Sequence, residues 1–226
     1  MTVHFIWDFD GTLAESHQAI REVLTLLYKH YDLPFDEDWV MAFIIQKSIG
    51  DLLQKLAREE GLSAKDLLAF FNREQEARDD MIRAMPGAKA VLEKTSQNGI
   101  KHYILTHKGA TTSPVLERLG IAAYFEEVVT AANGFKRKPD PEALHYLIEK
   151  YQMTKAHTYY IGDRPLDQQA AENAGIQSLN LSCPSNHINQ HIDDLMAILE
   201  LLPDMLDAST ESLESLTVRK QQEEGK

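Results

Sequence analysis

The chain has 226 residues, 43% of them hydrophobic and 26% charged, enough for one α/β domain with an insertion or for two small domains. A formal net charge of −12 argues against a nucleic-acid backbone or an anionic membrane surface as partner, and any anionic substrate must be drawn in by a local cation. The single cysteine, Cys183, excludes an intramolecular disulfide, points to the reducing cytoplasm, and reads as inert because no base lies near it in sequence.

The run Val3-His4-Phe5-Ile6-Trp7-Asp8-Phe9-Asp10-Gly11-Thr12 opens the chain as an apolar strand that ends in two carboxylates, a glycine and a hydroxyl. No basic leader precedes it and no apolar run approaches ~20 residues, so neither a signal peptide nor a membrane span is expected. Positions two apart on a strand point the same way, so Asp8 and Asp10 crowd one spot and call for a cation or a proton to relieve them.

Beyond Thr12 the apolar spacing is helical. Ile20, Val23, Leu24, Leu27 and Tyr28 form one stripe, Val40, Phe43 and Ile44 a second. Ile49, Leu52, Leu53 and Leu56 form a third, and Leu67, Leu68, Phe70 and Phe71 a fourth. Pro34 separates the first two helices, and Gly61 followed by Ser63 and Asp66 reads as one helix stopping and the next being capped. The block 15–83 is expected to be all helical, without a strand, and its aromatics are expected to pack its own core.

Met85-Pro86-Gly87 ends that block, and strand then alternates with helix. Helices are expected over 88–97, 114–119, 141–151, 166–174 and 192–202. Strands are expected over 103–106, 127–130, 158–161 and, as the last, 176–181. Such alternation gives a parallel sheet covered on both faces, a Rossmann-like three-layer α/β core. The first strand must belong to it, so 1–14 and 84–202 form the core and 15–83 is inserted as a helical cap. Residues 203–226 read as a terminal helix fraying into a polar, disordered tail.

Ligands of open parallel sheets lie beyond the carboxyl ends of the strands. Asp8 and Asp10 end the first strand, Thr106 and His107 the second. Lys136, Arg137 and Lys138 follow the third strand, and Gly162, Asp163 and Asp167 follow the fourth. Taken singly, Asp163 could cap a helix, Thr106 could end a strand, and Lys136 with Arg137 could be a solvated loop. Asp8-Phe9-Asp10-Gly11-Thr12, Leu105-Thr106, Lys138-Pro139, and Gly162-Asp163 with Asp167 four residues on resemble, in order, the four motifs of the haloacid dehalogenase superfamily. The insertion resembles the α-helical cap of its phosphoglycolate-phosphatase-like and β-phosphoglucomutase-like branch. His107 departs from the Asn that many relatives carry there.

The resemblance implies that Asp8 is a nucleophile forming an aspartyl phosphate and that Asp10 is the general acid and base. It implies that Thr106 holds a phosphoryl oxygen and that Lys138 neutralises charge developing in transfer. Gly11, Thr12 and His107 would face the phosphate, the Gly11 amide approaching it closely for want of a Cβ. The acids Asp8, Asp10, Asp163 and Asp167 plus a phosphate dianion amount to about six negative charges. Against these stand only Lys138 and a divalent ion, so a metal is expected and Asp10 is expected to hold a proton. Mg²⁺ suits such oxygen donors, on the Asp8 carboxylate, the Asp10 backbone carbonyl and Asp163, with Asp167 orienting Lys138. In the cap, Lys47, Ser48 and Gly50 are the candidates to face substrate. The implied activity is a phosphatase acting on a small soluble phosphate monoester. A sugar phosphomutase and an idle binding module are the alternatives, while Asp10 speaks against dehalogenation.

Overall fold

A computed structural model describes residues 2–224, with side chains of the last helix described as far as Thr210. Strand β1 (His4–Trp7) lies at the middle of a six-stranded sheet of order β5-β4-β1-β6-β7-β8. Its partners are β4 (Lys101–Leu105), β5 (Phe125–Val129), β6 (Thr158–Gly162), β7 (Gln177–Asn180) and β8 (Asn189–His191). Every pairing is parallel, and Trp7 stands in register with Ile104 on one side and Ile161 on the other. The carboxyl ends of β1, β4 and β6 are thereby level at the point where strand order reverses.

Alternation along the strands divides two cores between the two sheet faces. Phe5, Trp7, Ile104 and Ile161 pack on one face with Val91 and Leu92 of α5 (Ala88–Gln97), Ile198 of α9 (Ala197–Glu224) and Leu195 just before it. Ile6, Tyr103, Leu105 and Tyr160 pack on the other with Leu144 and Leu147 of α7 (Glu142–Lys150) and Ala170 and Ala171 of α8 (Pro165–Ala174). Helix α6 (Thr112–Arg118) closes the first face.

The insertion has its own core. Helices α1 (His17–His30), α2 (Glu37–Gln46), α3 (Ile49–Glu60) and α4 (Ala64–Glu76) bury Val23, Leu24, Leu27, Leu52, Leu67 and Phe71 against one another. Gly61 ends α3 with φ of 66°, and Ser63 caps α4 by accepting the Asp66 amide, as the spacing predicts. Among the described residues no helix is long and apolar enough to cross a membrane.

Three details differ from the sequence expectation. The insertion is bounded by a short antiparallel pair, β2 (Ala14–Glu15) with β3 (Arg83–Ala84), too short to carry a periodic signal. Strand β7 is not the last, because β8 adds an edge strand whose Asn-Gln-His sequence has no apolar alternation. Helix α9 starts at Ala197 and runs through Pro203 to Glu224. Leu195, Ile198, Leu202 and Met205 are buried on both sides of the proline, and that packing outweighs its lost N–H. The disorder expected at the polar end concerns, beyond Glu224, residues that lie outside those described.

Beneath β1 the Trp7 indole donates to Nδ1 of His102 at 3.0 Å, and Nε2 of the same ring lies 3.0 Å from the Thr95 hydroxyl, which donates to Val91 O. Burial, helped by Lys101, holds His102 down at about 3. The unfolded chain takes up this proton near pH 6.5 and the folded one resists it, so stability present above 6.5 is lost as pH falls toward 3. His102 alone contributes a loss of about 1.4 kcal/mol per pH unit within that window. Urea midpoints measured at pH 7 and pH 5 are expected to fall accordingly, and His102→Asn is expected to flatten the dependence; an equal slope in both proteins would remove His102 as its source.

Candidate active site

The turn after β1 is tight. Phe9 O accepts the amides of Leu13 and Ala14, and the Gly11 amide donates to Ala14 O at 2.9 Å. That N–H is therefore engaged within the turn. Gly11 is needed for a different reason: with φ of +81°, a Cβ there would lie 2.3 Å from Asp163 Oδ2. The Thr12 hydroxyl, fully buried, donates to Asp163 Oδ1 at 3.2 Å. Gly11 and Thr12 thus seat Asp163.

Asp8 is wholly buried. Its Oδ1 accepts the Phe9 amide at 2.8 Å, and its Oδ2 receives both Lys138 Nζ and Arg164 Nη2 at 3.0 Å. Burial pushes its carboxyl up, but Lys138 and Arg164 outweigh burial and hold it at about 2. Asp10 goes the other way. Burial and the charge of Asp8 raise it, against the pull of Lys108, and its Oδ1 is buried without a hydrogen-bond partner. Two carboxylates two residues apart are thus held in opposite protonation tendencies, the division of roles a nucleophile and an acid require.

Lys138, buried after β5, bonds Asp167 Oδ1 at 2.7 Å and the Tyr160 hydroxyl at 2.8 Å. The same hydroxyl donates to Leu105 O at 3.1 Å. Asp167 also accepts the Arg164 amide on Oδ2 at 3.0 Å. Both its oxygens are engaged, and burial raises its carboxyl even though Lys138 lowers it. His107 Nε2 accepts the Lys138 amide at 2.9 Å. Burial, then Lys138 and Arg137, hold that imidazole near 2, hence neutral. Its place in the site is to fix the backbone that carries Lys138. The Thr106 hydroxyl, buried, accepts the Lys108 amide at 3.1 Å.

The oxygens of Asp8, Asp163 and Asp167 lie within 4.8 Å of one another. Burial, with Asp167 and Asp8, pushes Asp163 up to about 7. This all-oxygen set, tight enough to exclude a Cβ at Gly11, fits a hard divalent cation.

Between core and cap lies a cavity of about 90 Å³, bordered by Asp10, Thr106, His107, Lys108, Asp163 and Arg164 from below. Ile20, Ile44, Ile45, Leu68 and Phe71 form much of its cap side, with Ser48 and Gly50 at its edge. Phe71 thus serves both cap core and cavity wall. The Ser48 hydroxyl caps α3, accepting the Asp51 amide at 3.1 Å. Arg137 reaches over Gly50, where a Cβ would meet its guanidinium at 3.5 Å. Lys47 lines a separate cleft with Pro139 and Gln169, and Lys136 is exposed beside Asp140.

Arg164, Lys108 and Tyr160 were not singled out from the sequence. The Lys108 side chain is fully buried and paired with Asp79 at the cap boundary. The acids Asp8, Asp10, Asp163 and Asp167 thus meet Lys138, Arg164 and Lys108, two more local cations than the sequence count allowed.

Residues 5–181 match the haloacid dehalogenase-like hydrolase family, and the chain belongs to it. It is 24% identical over 220 residues to a phosphoglycolate phosphatase of Pseudomonas fluorescens, covering 91% of this chain and 80% of that one. A phosphoglycolate phosphatase of Vibrio vulnificus is 29% identical over 200 residues, 80% of this chain and 84% of the relative. Among solved structures, a hydrolase from Pseudomonas syringae superposes with a TM-score of 0.74 at 25% identity, over 90% of this chain and 99% of the other.

Proposed function

We propose that this chain is a magnesium-dependent phosphatase that hydrolyses a small, soluble phosphate monoester in the cytoplasm through an aspartyl-phosphate intermediate. The observation that carries the reading is geometric: Asp8 Oδ2 is held by Lys138 and Arg164 at 3.0 Å within a cluster of three carboxylates, while Asp10 Oδ1, two residues on, is buried without a partner. The family match and the phosphatase relatives support it.

In the first step an Asp8 oxygen forms a bond to phosphorus while the phosphorus–oxygen bond to the leaving group breaks, and Asp10 gives its proton to that oxygen. In the second, Asp10 takes a proton from water, whose oxygen attacks phosphorus and releases phosphate with Asp8 restored. Lys138 holds Asp8, is kept in line by Asp167 and Tyr160, and would neutralise charge that develops on the transferred group. Thr106 offers a hydroxyl at the cavity floor. The Asp8 carboxylate, the Asp10 carbonyl and Asp163 are the groups that would hold Mg²⁺, whose part is to offset phosphoryl charge.

The cap closes over the leaving group and excludes water. Its cavity side is largely aliphatic, with Asn72 and Gln75 among few side-chain amides. Such a wall suits a small leaving group better than the hydroxyls of a hexose, which favours the phosphatase over the phosphomutase.

The test is inorganic phosphate release from a panel of small monoesters and p-nitrophenyl phosphate. Release is expected with Mg²⁺, to vanish with EDTA, and to return when Mg²⁺ is restored. Turnover unaffected by EDTA, or isomerisation of β-glucose 1-phosphate with no phosphate release, would overturn the reading.

A further inference from the structure

We propose that Arg164 is a built-in competitor of the divalent cation, so that metal and phosphoryl group bind this site cooperatively. The inference rests on the metal-dependent phosphatase reading. Arg164 directly follows Asp163, and its backbone is pinned on both sides: its amide donates to Asp167 Oδ2 at 3.0 Å, and its carbonyl accepts Asn180 Nδ2 at 3.0 Å. The side chain turns back over the sheet edge to Asp8, with Nη2 3.0 Å from Oδ2. Its Nε lies 3.9 Å from both Asp163 Oδ1 and Asp167 Oδ2, buried and without a hydrogen-bond partner.

The guanidinium therefore faces the same three carboxylates whose oxygens cluster within 4.8 Å. A fixed positive charge in so small a space repels a divalent ion, and the repulsion is strong where water is largely excluded. The competition is lopsided, however, because Nε is an unused donor. A phosphoryl group brings several acceptor oxygens, and a guanidinium fork matches them in a bidentate way that Asp8 Oδ2 alone does not. Once phosphoryl oxygens take up the guanidinium, its hold on Asp8 is released and the carboxylate is freer for the metal. By linkage, each ligand then strengthens the other by the same factor.

The experiment is calorimetric titration of Mg²⁺ into the metal-free full-length protein, alone and with inorganic phosphate, for wild type, Arg164→Gln and Arg164→Lys. Circular dichroism confirms that each is folded. Arg164→Gln is expected to bind Mg²⁺ alone about tenfold more tightly than wild type or better, the scale set by removing one charge at short range. Phosphate is expected to tighten Mg²⁺ binding in wild type by a larger factor than in Arg164→Gln. Arg164→Lys, which keeps the charge without the fork, is expected to bind Mg²⁺ as weakly as wild type but with reduced coupling. Unchanged or weaker Mg²⁺ affinity in Arg164→Gln, or coupling equal to that of wild type, would overturn the proposal. If wild type binds Mg²⁺ and releases phosphate while Arg164→Gln shows no gain, only the role of Arg164 falls. If wild type neither binds the ion nor turns over, the phosphatase reading falls with it.

Discussion

Asp8→Asn is expected to lower phosphate release by on the order of 10⁴-fold, with little change in the apparent KM. The substitution keeps the volume of a wholly buried side chain and can keep the acceptor bond from the Phe9 amide. What it removes is the anion that attacks phosphorus. It also disturbs the local balance of donors, since the Asn amide end would face Lys138 Nζ and Arg164 Nη2, both donors, where Asp8 Oδ2 now accepts from both. The carboxyl of Asp8 sits at about 2, below its usual 3.8, because Lys138 and Arg164 overcome burial. A depressed acid contributes stability that is present above the unfolded value and lost as pH falls toward the folded one. Asp8→Asn is therefore expected to lose about 2 kcal/mol of stability at pH 7, read as a lower urea midpoint. Turnover within tenfold of wild type would remove Asp8 as the nucleophile.

The placement of Asp8, Asp10, Thr106, Lys138 and Asp163 on one edge was legible in the sequence for a general reason. Each follows an apolar strand, and a parallel sheet lines up the carboxyl ends of its strands. The orientation of Asp167 toward Lys138 came from the family resemblance and not from spacing. Arg164 was beyond such reading. An arginine between Asp163 and Pro165 looks like a solvated loop residue, and what turns it inward is three-dimensional: Asp167 and Asn180 fixing its backbone, and Asp8 standing 156 residues away in sequence. Lys108 is hidden for a similar reason, since its partner Asp79 comes from the far end of the insertion. Tyr160 reads as one more apolar strand residue, and only the sheet shows its hydroxyl at Leu105 O beside Lys138.

The cap is legible as helices but not as a surface. Helical spacing finds the stripes that make its core, yet Ile20, Ile44 and Phe71 serve that core while also facing the cavity. Ser48, Gly50 and Lys47 are close neighbours in sequence, but the start of α3 sends the first two to the cavity and Lys47 to another cleft. Periodicity reports which face is apolar, whereas the approach of cap to core depends on side chains from both, such as Arg137 over Gly50.

Asp163→Asn is expected to lower activity, though less than Asp8→Asn does, and to have the opposite effect on stability. Asp163 sits among Asp167 and Asp8, and burial together with those two charges pushes its carboxyl up to about 7. Arg164, 3.9 Å away through Nε, and Lys138 lower it, but both give their close contacts to other acids, Arg164 to Asp8 and Lys138 to Asp8 and Asp167. In the metal-free protein the folded chain thus keeps a proton that the unfolded chain has already lost above 3.8. Stability falls as pH rises through the window from 3.8 to 7, and the full cost is present above about 7. The amide carries no charge and can still accept the Thr12 hydroxyl, so in EDTA at pH 8 the variant is expected to gain about 1–3 kcal/mol, and much less at pH 5. Adding Mg²⁺ should raise the urea midpoint of wild type by mass action and leave that of Asp163→Asn nearly unmoved. Phosphate release is expected to drop by roughly 10²–10³-fold, in keeping with loss of a group that offsets transferred charge. A variant less stable than wild type at pH 8 in EDTA would mean that the crowding of these acids is already relieved within the protein. A stabilised but inactive variant would mean that the fold holds Asp163 ionised at a cost which its cation offsets.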